Sequence, residues 1–151
     1  MADLSGSHTL EIDAPIAKCF AIAADLDRAP EWQGAMKSTT VVERDEAGRG
    51  TLVETEIDAS VTTAHLTLRF AYDEPHGMTW TRDSGDLKSL EGSWVFEDLG
   101  DDRTRATYAL DIGLSRKLSF IVKAVRGPVE ARVRALITER PVEGLKERAE
   151  G

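Results

Sequence analysis

The sequence predicts an α+β fold in which one curved antiparallel sheet buries its inner face against a long C-terminal helix. Three observations predict it. Six alternating segments follow one another between Lys37 and Ile112, divided by short turns of Gly, Asp and Pro, and strands joined by hairpins pair antiparallel. A single apolar stripe recurs at helical spacing between Arg116 and Glu150. A sheet with one apolar face needs a cover, and only that terminal stripe and two short helical segments near the start can supply it.

In chain order, Ser7 to Asp13 alternates His8, Leu10 and Ile12 against Thr9, Glu11 and Asp13, a half-buried strand. Ala14-Pro15 ends it. Pro15 suits the first turn of a helix capped by Asp13, with Ile16, Cys19, Phe20 and Ala23 on one stripe. Cys19 on that stripe reads as a core thiol, because no basic group or helix start is placed to lower its pKa. Asp25 to Pro30 breaks the chain, and Glu31 to Ala35 has room for a short second helix carrying Trp32.

Strands are then predicted over Ser38–Arg44 and Thr51–Ala59, the second with Val53, Thr55 and Ile57 inward. Thr62–Tyr72 turns Ala64, Leu66, Leu68, Phe70 and Tyr72 inward, and His65 outward. After the turn Asp73 to Gly77, which holds His76, Met78, Trp80 and Arg82 share one face. Arg82 is the anomaly on that face. Ser89–Glu97 places Leu90, Gly92, Trp94 and Phe96 inward, and Arg103–Ile112 returns with Thr104, Ala106, Tyr108, Leu110 and Ile112. In the terminal segment, Leu118, Ile121, Val122 and Val125 precede Gly127-Pro128, and Val129, Val133, Leu136, Ile137 and Leu145 follow it. Gly127 suits a helix end and Pro128 a new first turn, while Pro141 is expected to kink the second helix.

Composition excludes several function classes. A chain of 151 residues is expected to form a single domain over residues 1–151, burying about 70% of its unfolded surface. The formal charge of −8 argues against nucleic-acid binding. It is uneven: Met1 to Leu114 carries −12 and Ser115 to Gly151 carries +4, which reads as oppositely charged solvated faces. A weaker reading makes Arg116 to Arg126, with Phe120, a membrane-surface contact. The single cysteine excludes an internal disulfide, and no His/Cys cluster has metal-ligand spacing, so no metal and no cofactor are expected. The N-terminus lacks a basic segment leading into an apolar run, and a cytoplasmic location is expected. Phosphate-loop, nucleophile-elbow and His-Glu-x-x-His patterns are absent, as is an inward carboxylate pair.

Small inward residues, namely Ala64, Gly92, Ala106, Thr55 and Thr104, predict unfilled space between sheet and helix, and hence a small-molecule cavity. Its expected lining is Trp32, Thr55, Leu68, Phe70, Tyr72, Trp80, Arg82, Trp94, Tyr108, Val133 and Ile137. Arg82 has the chemistry to hold an oxyanion or carboxylate, and Tyr72 or Tyr108 to donate or relay a proton, so these three are the catalytic candidates. His8 reads as a structural histidine on the first strand.

The element order, with Asp25-Leu26-Asp27-Arg28-Ala29-Pro30-Glu31-Trp32 and then Gln33 to Ser38 leading into the second strand, resembles the polyketide cyclase/dehydrase branch of the START-like (SRPBCC) superfamily. The resemblance spans the chain, and its local signature is the Pro-Glu-Trp step followed by the Lys-Ser strand entry. It implies a helix-grip fold: a curved seven-stranded antiparallel sheet wrapped around a long C-terminal helix, with two short helices after the first strand. It further implies a cavity for a hydrophobic small molecule such as a lipid or polyketide, bordered by Trp32, and in some members aldol cyclisation or dehydration. Carrier and cyclase both remain open, as do monomer and homodimer.

Overall fold

The computed structural model of the chain describes residues 4–33, 35–58, 63–113 and 128–151, with the backbone alone for residue 4 and residues 128–137. Seven strands form one sheet: β1 (Leu4–Ile12), β2 (Met36–Arg44), β3 (Gly50–Asp58), β4 (Thr63–Asp73), β5 (Gly77–Gly85), β6 (Ser89–Gly100) and β7 (Arg103–Gly113). Their order is β1-β7-β6-β5-β4-β3-β2, and every neighbouring pair is antiparallel. The strands from β2 to β7 are thus a meander, as short turns dictate, and β1 adds to its far edge. Helix α1 (Ile16–Ala24) and a 3-10 turn (Leu26–Glu31) lie between β1 and β2, and helix α2 (Pro128–Glu150) ends the chain.

The period-2 pattern sets which residues face inward. Directly opposed residues share a face, so one inward row runs Tyr72, Met78, Trp94, Tyr108, His8 across five strands. The next row runs Phe70, Trp80, Gly92, Leu110. At the β6–β7 hairpin, Asp101 and Asp102 both take positive φ, of 54° and 57°, the geometry of a tight turn whose twist matches the flanking strands.

Two local expectations are corrected. Asp13 does not cap α1: Pro15 holds that position, its carbonyl accepting the Lys18 and Cys19 N–H groups at 3.0 and 3.2 Å. Asp13 instead donates its backbone N–H to the Glu150 carboxylate at the far end of the chain. The second short helix lies before Trp32 rather than around it. Pro30 sits inside the 3-10 turn, and the Ala29 carbonyl accepts both the Trp32 and Gln33 N–H groups, which ends it.

Helix α2 begins at Pro128 and runs through Pro141. Thr138, Pro141, Val142, Leu145 and Ala149 are buried, a stripe at i, i+3, i+4, i+7 and i+11 that packs on β1, β7 and α1. The side chains of Val129, Val133, Leu136 and Ile137, and the whole of Arg116 to Arg126, lie outside the described residues. At Gly144 the helix meets the turn closely: a Cβ there would stand 2.2 Å from the Trp32 carbonyl oxygen. No helix among the described residues is long and apolar enough to cross a membrane.

Candidate functional site

The inner face is organised by aromatic rings. Phe20 touches Tyr72 and Phe96 at centroid distances of 6.4 and 6.5 Å, Tyr72 touches Phe70 at 6.5 Å, and Phe70 touches Trp80 at 5.6 Å. Trp80 then meets Tyr108 at 5.5 Å, Tyr108 meets Trp94 at 4.8 Å, and Trp94 stacks on Phe96 at 5.6 Å. The contacts return to Phe20. Seven rings from one helix and four strands close a circuit, and the register places buried Met78 within it, between Tyr72 and Trp94. Trp32 joins from the end of the 3-10 turn, just past Glu31, 6.3 Å from Trp94. Ring pairs at these distances contribute beyond their buried area, about 0.5–1.5 kcal/mol each.

The small inward residues do not simply leave space. At Gly92 a Cβ would lie 2.2 Å from the Trp80 indole, so the missing side chain is where Trp80 lies down. Thr55 is buried and donates its hydroxyl to the Leu66 carbonyl at 3.1 Å, and Thr104 donates to the Ala14 carbonyl at 2.7 Å. Ala64 and Ala106 are buried within the same core cluster. The volume read from the sequence as void is thus taken at Gly92 by Trp80, which stands directly opposite it on the neighbouring strand.

The polar candidates separate by environment. Tyr72 is half-buried and donates its hydroxyl to the Gly50 carbonyl at 2.6 Å. Arg49 covers this end of the circuit, its guanidinium 5.0 Å from the Phe20 ring centroid and 5.7 Å from that of Tyr72, while paired with Glu74. Tyr108 is buried, and its hydroxyl has no hydrogen-bond partner among the described residues. Burial pushes the pKa of both tyrosines far up, so both hydroxyls remain protonated at neutral pH and act as donors.

Arg82 stands apart from the tyrosines. It lies four residues along β5 from the row shared by Tyr72 and Tyr108, about 13 Å away at strand rise. Tyr72 and Tyr108 are themselves three strand spacings apart, about 14 Å. The three candidates therefore line one face without forming one cluster. Beside Arg82 the β4–β5 register slips between Thr67 and Leu68, a bulge of the kind that redirects a side chain. One terminal nitrogen of Arg82 donates to the Gly85 carbonyl at 2.9 Å. Its Nε is buried and has no partner among the described residues. Gly85 holds its carbonyl there with φ of +125°, where a Cβ would run into the His65 carbonyl at 2.4 Å.

The remaining lining residues are placed as follows. Leu68, Phe70, Trp80 and Trp94 are all buried on the inner face, and Trp32 is half-buried at its border. Val133 and Ile137 belong to the part of α2 whose side chains are outside the described residues. His65 and His76 are exposed. His8 is half-buried, and its imidazole lies within 4.8 Å of the Glu139 and Glu143 carboxylates, a grouping sequence spacing does not reveal because the helix and strand are at opposite ends of the chain.

Solved structures with this architecture include a START superfamily protein from Mycobacterium smegmatis, at TM-score 0.80 and 20% identity over 97% of each chain. A protein from Thermus thermophilus matches at TM-score 0.75 and 22% identity over 96% of each chain. The Zhui aromatase/cyclase of Streptomyces matches at TM-score 0.74 and 16% identity, over 97% of this chain and 93% of that one. At these identities the likeness is one of fold. No protein of curated function matches the chain. The sequence pattern of the family described as "Polyketide cyclase / dehydrase and lipid transport" matches residues 12–138, and the chain belongs to that family.

Proposed function

We propose that the inner face binds an elongated, mostly apolar small molecule, lipid- or polyketide-like, between the sheet and α2. The observation that carries this reading is the buried Nε of Arg82, without a partner among the described residues, on a largely aromatic and aliphatic face. A guanidinium nitrogen withdrawn from water without an acceptor costs on the order of 1–3 kcal/mol, and a ligand carboxylate or carbonyl oxygen supplies the missing acceptor. The Tyr108 hydroxyl, displaced about 13 Å in the strand direction, is a second uncommitted donor among the described residues. A ligand with oxygens near both ends and hydrocarbon or fused rings between them fits this spacing. A cytoplasmic monomeric or homodimeric carrier is the form of protein this reading describes, with Arg116 to Arg126 as the segment that would touch a membrane during transfer.

The same two donors favour a second reading, a cyclase or dehydratase. Arg82 at one end and a Tyr108 hydroxyl kept protonated at the other each have the chemistry to stabilise an enolate oxygen at a different position along a bound polyketide-like chain.

Native mass spectrometry of the purified protein, followed by denaturation and identification of any released compound, tests the binding reading. One apolar oxygen-bearing molecule per chain is expected, with retention at least about tenfold weaker in Arg82→Met. An empty protein that also fails to bind a hydrophobic dye would overturn it. Retained binding of a polyketide-like compound with loss of its cyclisation in Arg82→Met would select the enzyme.

A further inference from the structure

One flank of α2 is docked along β1 residue by residue. Glu150 Oε2 accepts the Asp13 backbone N–H at 2.8 Å, and Lys146 Nζ donates to the Glu11 carbonyl at 2.9 Å. Glu143 and Glu139 continue the same flank toward the helix start, at i, i+4 spacing, and they meet His8. The match is metric: eleven residues of helix rise about 16 Å, and five residues of strand span about the same. The lower part of this seam is tied by hydrogen bonds, and Lys146 also pairs with Glu150. The upper part brings two carboxylates and an imidazole together.

Two glutamates one helical turn apart repel each other, and neither has a cation or hydrogen-bond donor as partner among the described residues. One potential ligand atom from each of His8, Glu139 and Glu143 lies within 4.8 Å of the other two. Tetrahedral coordination at about 2.0–2.2 Å requires ligand atoms about 3.3–3.6 Å apart, so the two exposed glutamate side chains would turn inward to close the set. On the strand side, the His8 backbone is held in the β1–β7 ladder opposite Tyr108.

We propose that His8, Glu139 and Glu143 form a binding site for a divalent transition metal of the zinc type, which clamps the C-terminal helix to the first strand. One imidazole and two carboxylates make a borderline-to-hard donor set without thiolate, suited to Zn²⁺ and Co²⁺. Three protein ligands leave a fourth position for water. A cation here neutralises the two carboxylates and joins elements 131 residues apart in sequence, counted from His8 to Glu139.

The test titrates the full chain, stripped with EDTA, with Zn²⁺ by calorimetry and with Co²⁺ by visible absorption. One metal per chain is expected, with the d–d bands of a four-coordinate cobalt site and an EDTA-reversible rise in melting temperature. His8→Ala, Glu139→Gln and Glu143→Gln should each weaken binding at least about tenfold. The other two histidines, His65 and His76, supply the control: a His65→Ala/His76→Ala double variant should bind as the parent does. No saturable binding, or binding that survives the three ligand variants, or binding lost in the double control, would overturn the site. Should His8→Ala fail to fold, the two glutamate variants decide, since both residues are exposed.

Discussion

Gly92 illustrates how a residue's role depends on a neighbour brought up by folding. Its absent side chain makes room for the Trp80 indole, so Gly92→Ala forces Trp80 out of place. Overpacking of this kind costs about 1–3 kcal/mol. Urea unfolding should show the midpoint falling, and an unchanged midpoint would mean that Trp80 has an equivalent position available. Tyr108→Phe should behave differently. It removes a hydroxyl with no partner among the described residues, so stability should stay within about 0.5 kcal/mol of the parent or rise, while binding of an oxygen-bearing ligand weakens. Cys19 is fully buried and burial raises its thiol pKa. In the native protein it should resist a thiol reagent over the time in which the unfolded chain reacts completely.

At the level of elements, the decisive contact is between α2 and what lies beneath it. Glycine within a helix ordinarily costs about 1 kcal/mol relative to alanine, so Gly144→Ala should stabilise an isolated α2. In the folded protein the added methyl meets the Trp32 carbonyl oxygen, and net destabilisation of about 1–3 kcal/mol is expected. A melting temperature above that of the parent would show that the helix can lift from the turn without loss. The other end of this docking depends on pH. The Asp13 N–H and then the Lys146 ammonium hold the Glu150 carboxyl below the usual carboxylate range. Its folded pKa is thus depressed, and its contribution is present above the unfolded value and lost as pH falls through the folded one. Between about pH 6 and about pH 3, Glu150→Gln should therefore lose less stability than the parent does.

For the whole molecule, one aromatic circuit joins α1 to β4, β5, β6 and β7, and all three tryptophans belong to it or touch it. Tryptophan fluorescence therefore reports on the junction of helix, turn and sheet together. Unfolding followed by fluorescence and by far-ultraviolet circular dichroism should give coincident transitions, and two separated midpoints would mean that the sheet holds without its helical cover. Surface charge adds little to this cooperativity. Most ion pairs among the described residues, such as Arg103 with Glu11 and Arg105 with Glu97, are solvent-exposed and contribute about 0–1 kcal/mol each.

The sequence by itself determined the meander of strands, the face that β1 and β3 to β7 bury and the helix that covers them, because periods of 2 and 3.6 are local properties of the chain. Leu68, Phe70, Trp80, Trp94 and Tyr108 are inward where alternation puts them, and Cys19 is buried where the helical stripe puts it. The tertiary structure decided what no local period encodes. It filled the space at Gly92 with a ring from the next strand, gave Asp13 to Glu150 instead of to a helix cap, and separated Arg82 from the tyrosines by register. It also brought His8 to Glu139 and Glu143, whose meeting depends on the angle at which a terminal helix lies across an edge strand. Such encounters join residues distant in the chain, and only the packing of whole elements sets their distances.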